Sequence, residues 1–548
     1  MISRPLITML LLTTTSCLSM PISNRLFHLH HAANKNDIAT IKEIINKDPK
    51  AINRKNKNGL TPLFPAALQG HILACKTLVD LGANVNKKDN KGQTPLFIAA
   101  YKGHTQTCET LINLKANVNT KNKNGYTPLS CAAYNGHTQT CEALINLDAD
   151  INAKDKYHWT PLFFAAYNGH TNTCETLTKR KANVNARNKH FRTPLFLAAQ
   201  NGHTNTCETL INLGSDINAK DTYQWTPLLF AAKNGHTQTC KKLITLRANV
   251  NARNKNLRTP LFFAAQYGHT QTCKKLITLG ANVNAIDKSY LTPLLLAAQN
   301  GHTNTCETLI NLNANVNAID ENHWAPLFFA AQNGHTQTCE TLINLGANVN
   351  AFNNQGASPL HLAAYNGHTQ TCETLINLNA DVNARDKYHR TPLFFAAQKG
   401  HNQTCESLIN LGANVNDKNK FNDTPLHLAI KNKNDDLVSV LTKQYKKHSM
   451  IFDKVYHKNQ APTRLHTAVK ENNIKDVLSL TTEHSNLIFE KDENNNTAFD
   501  IAIDLYKFYN SYEKNAFNLE WFNNLKTIIT ILNDPSPCKA GSIIGLLN

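Results

Sequence analysis

Short apolar stretches alternate with polar ones along this chain at a spacing that repeats without drift. Between Asn84 and Ala116, Leu96, Ala99 and Ala100 mark a brief helix with small residues on one side. A second helix follows, carrying Cys108, Leu111, Ile112 and Leu114 at helical intervals. Thr94 is a good N-cap, and Pro95 suits the first helical turn, where a missing N–H costs nothing. Gly103 ends the first helix, and Thr105 is expected to cap the second. After the second apolar stripe stand Gly82, Gly214, Gly280, Gly346 and Gly412, or Asn313 and Asn379, in different units. Those two residue types tolerate the left-handed backbone that closes a helix. The polar remainder, such as Ala83-Asn84-Val85-Asn86 onward, reads as a hairpin-like finger leading to the next Thr-Pro.

The prolines set the period. Pro62, Pro95, Pro128, Pro161, Pro194, Pro227, Pro260, Pro293, Pro326, Pro359, Pro392 and Pro425 stand 33 residues apart at every step. Thr precedes ten of them; Ala325 and Ser358 are the exceptions. A fixed period of this length marks a stacked array. It also explains how a chain of 548 residues, too long for one core, can do without unrelated domains, since each unit packs only on its neighbours.

Thr424-Pro425-Leu426-His427-Leu428-Ala429, the Gly103-His104 pair and the run from Gly346 to Asn350 make the chain resemble the ankyrin-repeat family over roughly residues 25–510. The resemblance implies an all-α repeat solenoid, an ankyrin array of helix-turn-helix units joined by β-hairpin-like fingers, with about 15 units. It also implies a structural Gly-His histidine that hydrogen-bonds within its turn. Residues 21–58, with Leu29, Ala32, Ala33, Ile38, Ile41, Ile44 and Ile45, form an N-terminal capping unit, and 59–444 hold twelve repeats. Degenerate units occupy 445–510, starting at Thr463 and Asn496, with Lys443 to Pro462 as a hinge or insertion. A C-terminal helical cap and tail fill 511–548. Helices stacked roughly 8–10 Å apart would give a path on the order of 120–150 Å.

Residues 1–20 have the shape of a secretory signal: Arg4, the apolar run Leu6 to Leu12, then small residues through Ser19. Cleavage after Ser19 would mean secretion; without it the chain would be cytoplasmic. A lipid anchor on Cys17 is the alternative, with Thr14 standing against it. The leader and the Asn/Lys-rich, near-identical units resemble the exported ankyrin proteins of host-associated bacteria, which implies a host protein as partner. No stretch reaches the roughly 18 apolar residues that a spanning helix needs.

Chemistry adds little. Cys75, Cys108, Cys141, Cys174, Cys207, Cys240, Cys273, Cys306, Cys339, Cys372 and Cys405 recur with the period, on the apolar side of the second helix. Stacking sets equivalent cysteines beyond the ~7 Å that a disulfide can span, so they are expected in the core as free thiols. Thiols in that number sit poorly with an oxidising compartment unless burial shields them. His104 and Cys108 supply too few ligands for a tetrahedral metal site. The chain has no Walker loop, no His-Glu-x-x-His and no Gly-x-Ser-x-Gly, so no enzyme activity, cofactor or metal is expected.

Function should lie where units differ, and the fingertips differ most. Gly92, Gly125 and Gly356 hold a tip position that elsewhere carries His158, Phe191, Gln224, Leu257, Tyr290, His323 and His389. Bulk at such a turn costs about 1 kcal/mol each. Tyr157, Trp159, Tyr223, Trp225, Trp324 and Tyr388 flank the tips. Arg187, Lys189 and Arg192 form one basic tip, Arg253, Lys255 and Arg258 a second, and Arg385, Lys387 and Arg390 a third. Trp, Tyr and Arg anchor interfaces, which makes these partner-binding candidates; the alternative is that adjacent fingers pack their aromatics on each other. On the first helix Tyr101, Tyr134, Tyr167 and Tyr365 alternate with Gln200, Gln266, Gln299, Gln332 and Gln398, a position that the family turns toward its concave groove. Phe163, Phe196, Phe262, Phe328 and Phe394 replace the family's usual His, kept at His361 and His427, and are expected in the core.

The formal net charge of +18 favours an acidic partner, whether a protein face, an anionic membrane or nucleic acid. The family resemblance implies a protein, so an acidic or amphipathic protein surface bound by a monomeric scaffold is the leading expectation. Binding of nucleic acid or an anionic membrane through the basic fingertips is the rival reading. Acidic residues such as Glu109, Glu142 and Glu208, interspersed among the cations, weigh against it.

Overall fold

Each Thr-Pro opens a helix, as the spacing predicts. In the unit that begins at Thr94, helix Pro95–Lys102 is capped by Thr94, whose hydroxyl oxygen accepts the Phe97 N–H at 3.3 Å, and Gly103 closes it at φ 78°. Helix Thr105–Asn113 packs back against it. The pattern continues to Asn402–Asn410 and Pro425–Lys431, preceded by Ile22–Lys35, Ile38–Lys47 and a 3-10 turn at Pro49–Asn53. This computed structural model describes residues 22–442, and every regular element among them is helical. The leader, the degenerate units from 445 and the C-terminal cap lie outside the described residues. The chain divides into two compact units, Met1–Val438 and Ser439–Asn548, and the helical stack belongs to the first.

Leading helices pack on leading helices of adjacent units and trailing helices on trailing ones, which makes two parallel layers. The small residues predicted for one side are why the layers approach closely: Ala99 and Ala100, with their equivalents from Ala66 and Ala67 to Ala396 and Ala397, are fully buried. Phe163, Phe196, Phe262 and Phe328 have 0% exposure, so the replacement of His by Phe fills core. It also has a cost. Ser358 Oγ and Thr424 Oγ1 reach the Nδ1 of His361 and His427 at 2.8 and 2.7 Å, whereas Thr160, Thr193 and Thr259, each ahead of a Phe, keep a buried hydroxyl with no partner. Burial holds His361 down to about 4, so its ring stays neutral and Nε2 donates to the Arg390 carbonyl at 3.0 Å. The periodic cysteines are all buried free thiols, and burial pushes those such as Cys75, Cys174 and Cys240 up to about 12.

Three ladders of side chains stitch the units together. The first corrects the histidine expectation: the ring does not bond within its own turn. His104 Nε2 donates to the Leu68 carbonyl of the preceding unit at 2.9 Å, His203 to Tyr167 at 3.0 Å, and so on to His401 and Tyr365. The second corrects Thr105, which is the first helical residue behind His104 and caps nothing. Its hydroxyl pairs with that of Thr140 in the next unit at 2.7 Å, and the pairing repeats through Thr369 and Thr404. In the third, an Asn bridges to the following unit. Asn86 Nδ2 donates to the Lys115 carbonyl at 3.0 Å while its Oδ1 accepts the Asn117 N–H at 2.8 Å. Each such bond contributes about 1 kcal/mol, and the same few recur at nearly every interface.

Candidate partner-binding surface

A finger begins at a buried Asp or Asn. Asp155 Oδ1 accepts the N–H groups of Tyr157 and Trp159 at 2.8 and 2.7 Å, and the Asp155 N–H donates to the Trp159 carbonyl at 3.0 Å. Burial raises the Asp155 pKa, against the pull of those two N–H bonds. The loop is thus hairpin-like without a ladder, and no strand occurs among the described residues. Neighbouring fingers share one backbone bond, such as Lys189 N–H to the Tyr157 carbonyl at 3.2 Å.

The tip residue takes the left-handed conformation that its glycine counterparts take. His158, Phe191, Gln224, Leu257, Tyr290, His323 and His389 have φ between 58° and 63°. That conformation costs a non-glycine residue about 1–2 kcal/mol, and each of these side chains is exposed, so no packing offsets it. Lys115, Asp148, Lys181 and Arg247 are also left-handed, at the position closing the second helix where Gly and Asn were expected.

The residue just before each Thr-Pro behaves differently from the tip. Trp159 is half-buried, its ring 5.8, 5.3 and 5.7 Å from Phe163, Phe164 and Tyr167. Trp225 lies 4.8 Å from Phe230 and 4.3 Å from Phe263 of the next unit, and Trp324 packs tilted against Phe328 and Phe329 at 6.0 and 5.2 Å. Where this position is Arg, it seeks a carboxylate. Arg192 reaches forward to Asp221 at 3.2 Å and lies 4.5 Å over Phe230, and Arg258 reaches Asp287 at 2.9 Å. For Arg390 the equivalent residue of the next finger is Asn419, not Asp, and Arg390 folds back to its own Asp386 at 2.6 Å and over Phe395.

The candidates therefore fall into two groups. Trp159, Trp225, Trp324, Arg192, Arg258 and Arg390 pack into the stack, with Tyr134, Tyr167 and Tyr365 half-buried against the same aromatic clusters. Tyr101 is half-buried in the same row, with Lys102 5.9 Å over its ring. Tyr157, His158, Arg187, Phe191, Tyr223, Arg253, Tyr290, His323, Arg385 and Tyr388 stand exposed on the fingers. Among the described residues no group of His, Cys, Asp and Glu could hold a metal ion, and no helix is long and apolar enough to cross a membrane.

Overlapping windows of the chain, beginning at residues 7–89, 29–122 and 75–155 and ending at 360–451 and 393–491, match the family described as ankyrin repeats (3 copies). The chain belongs to the ankyrin-repeat family. No curated protein matches it. Ankyrin repeats are in general protein–protein interaction modules, and arrays of them are typically non-enzymatic scaffolds.

One feature of this ankyrin array escaped the reading by tips. Seven residues before nine of the twelve prolines, Lys55, Lys88, Lys121, Lys154, Arg187, Lys220, Arg253, Arg385 and Lys418 form a column of exposed cations. Only Arg385 has an ion-pair partner among the described residues, Asp417 at 2.9 Å. A second column stands two residues further on, with Lys57, Lys123, Lys156, Lys189, Lys255, Lys288, Lys387 and Lys420. Reading the sequence down the 33-residue column, rather than finger by finger, would have found both.

Proposed function

We propose that this array is a non-enzymatic scaffold holding an acidic partner protein along its fingers, with the half-buried aromatic clusters on the groove side of the units as a second contact strip. The observation behind the reading is the paired column of cations. Ion pairs in the stack account for Arg192, Arg258 and Arg390, whereas nearly all the column cations lack such a partner and face water. A surface of one sign repeated at each step steers and registers a partner of the opposite sign. The left-handed, exposed tips add apolar contacts that folding does not need.

Replacing Lys154, Arg187, Lys220 and Arg253 by Gln in the full-length chain should reduce binding of its protein partners while leaving the circular dichroism spectrum unchanged. Retention of the same partners at the same affinity would refute the reading. Nucleic acid or an anionic membrane on the same cations is the competing reading. It predicts a steep log-linear loss of affinity with salt for a DNA or anionic-vesicle probe, with that probe outcompeting the protein partner.

A further inference from the structure

The first cation column has a gap. Between Arg253 and Arg385 the equivalent residues are Ile286, Ile319 and Phe352, in three consecutive units, with 42%, 50% and 54% exposure. The second column, interrupted singly at Asn90 and Thr222, keeps Lys288 here but then loses Lys in two consecutive units, at Glu321 and Asn354. Ile319 and Phe352 wall an open concavity of about 400 Å³, with His323, Asn317 and Asn348 around it. The stack does not need apolar residues here, because the same position carries Lys or Arg in the nine other fingers. Single exposed apolar side chains are ordinary on protein surfaces; three in register, bounded on both sides by cations, are a patch.

We propose that Ile286, Ile319 and Phe352 form an anchor for apolar side chains in an acidic, extended segment of the partner, an assignment that rests on the protein-binding reading above. The carboxylates flanking that apolar stretch lie along the cation columns on either side. Spacing supports an extended occupant. Successive units lie roughly 8–10 Å apart, and three residues of polyproline-II chain span about 9.3 Å, so every third side chain meets the next finger. Charge selects against a nucleic acid strand at this place: its phosphates continue without interruption, and over the gap they would meet no cation in the first column and, in the second, only Lys288 beside Glu321 and Asn354.

The test uses the full-length chain and fluorescent peptides of about 20 residues with Glu at every third position. One has Phe at the central three of those positions, a second has Ala there, and a third is Glu throughout. The Phe peptide should bind at least about tenfold more tightly than the Ala peptide. In the double variant Ile319→Lys, Phe352→Lys, whose new residues are those of other units, that preference should vanish while the all-Glu peptide binds as well as before or better. Equal affinity of the Phe and Ala peptides for the unaltered chain would overturn the anchor and leave the acidic-partner reading standing. Failure of every acidic peptide to bind at low salt would sink both. A single-stranded oligonucleotide of equal charge binding more tightly than the Phe peptide would also overturn the proposal. So would self-association of the chain that the double variant abolishes, which would assign the patch to a second copy.

Discussion

Gly169 and Gly214 are both left-handed, at φ 74° and 94°, and differ in what surrounds them. A methyl group on Gly214 would have nothing within 4 Å. On Gly169 it would sit 2.5 Å from Nδ1 and 2.7 Å from Cγ of His203 in the next unit. That ring cannot swing aside freely, because its Nε2 donates to the Tyr167 carbonyl at 3.0 Å. Gly214→Ala should therefore cost about 1 kcal/mol, the conformational penalty alone. Gly169→Ala adds the loss of a half-buried hydrogen bond, about 1–3 kcal/mol, for a total of about 2–4 kcal/mol. In a His203→Ala background the obstruction is gone, and Gly169→Ala should fall back to about 1 kcal/mol. Urea titration of the full chain reads the sum. Hydrogen exchange in helices Pro161–Tyr167 and Pro194–Gln200 reads the interface itself, which matters in an array that unfolds by neighbour contacts. Two glycine variants within about 0.5 kcal/mol of each other, or no rescue by His203→Ala, would refute the inter-unit histidine as the reason for the glycine.

Three further outcomes follow from the packing. Ser215 stands where the other units carry alanine and buries a hydroxyl with no partner, so Ser215→Ala should raise stability by about 1 kcal/mol in a urea melt. Trp159→Ala removes a ring packed against three others and should cost about 3 kcal/mol, whereas Tyr157→Ala, exposed at 64%, should stay within about 0.5 kcal/mol and show its effect in partner affinity. Thiols such as Cys174 and Cys240 keep their protons to about 12 in the folded chain but release them near 9.0 when unfolded, so their contribution is constant below pH 9.0 and lost as pH rises toward 12. The urea midpoint should fall across that range, and a thiol reagent at pH 8 should leave these cysteines unmodified until the chain is denatured.

Local features were legible in the sequence and long-range destinations were not. Thr-Pro marks each leading helix because capping and proline geometry act within four residues. Phe163 and its equivalents read as core from their place on the small-residue helix, and the structure buries them, at no more than 4% exposure. His104, Thr105 and Asn86 have side chains whose partners lie 29 to 36 residues away, and periodicity says only that such residues are equivalent. It does not say whether a polar group turns inward or toward the neighbouring unit. For the same reason Trp159 and Tyr157, two positions apart on one finger, looked alike: the turn at His158 sends one ring onto Phe163 and the other into water.

The ladders also divide the positions that could carry specificity from those that could not. The histidine ladder runs from His71 to His401, the threonine ladder from Thr105 to Thr404, and the asparagine ladder from Asn53 to Asn383. Two of them run out at one place: Asn402 replaces the Thr that would continue the second, and Asn434 takes the place of the next His, bonding Asn402 at 2.7 Å. Between those limits the interfaces are made of the same bonds at the same distances, so a change at a bridging residue alters stability before it alters recognition. The column positions have no such bridge in common. Lys, Arg, Ile and Phe replace one another there with the fingers otherwise intact, from Lys55 to Lys418. A uniform stack leaves its variable information on the fingers, at the tips and along that column, and charge is the cheapest property for selection to write there, because it acts across a Debye length and needs no repacking.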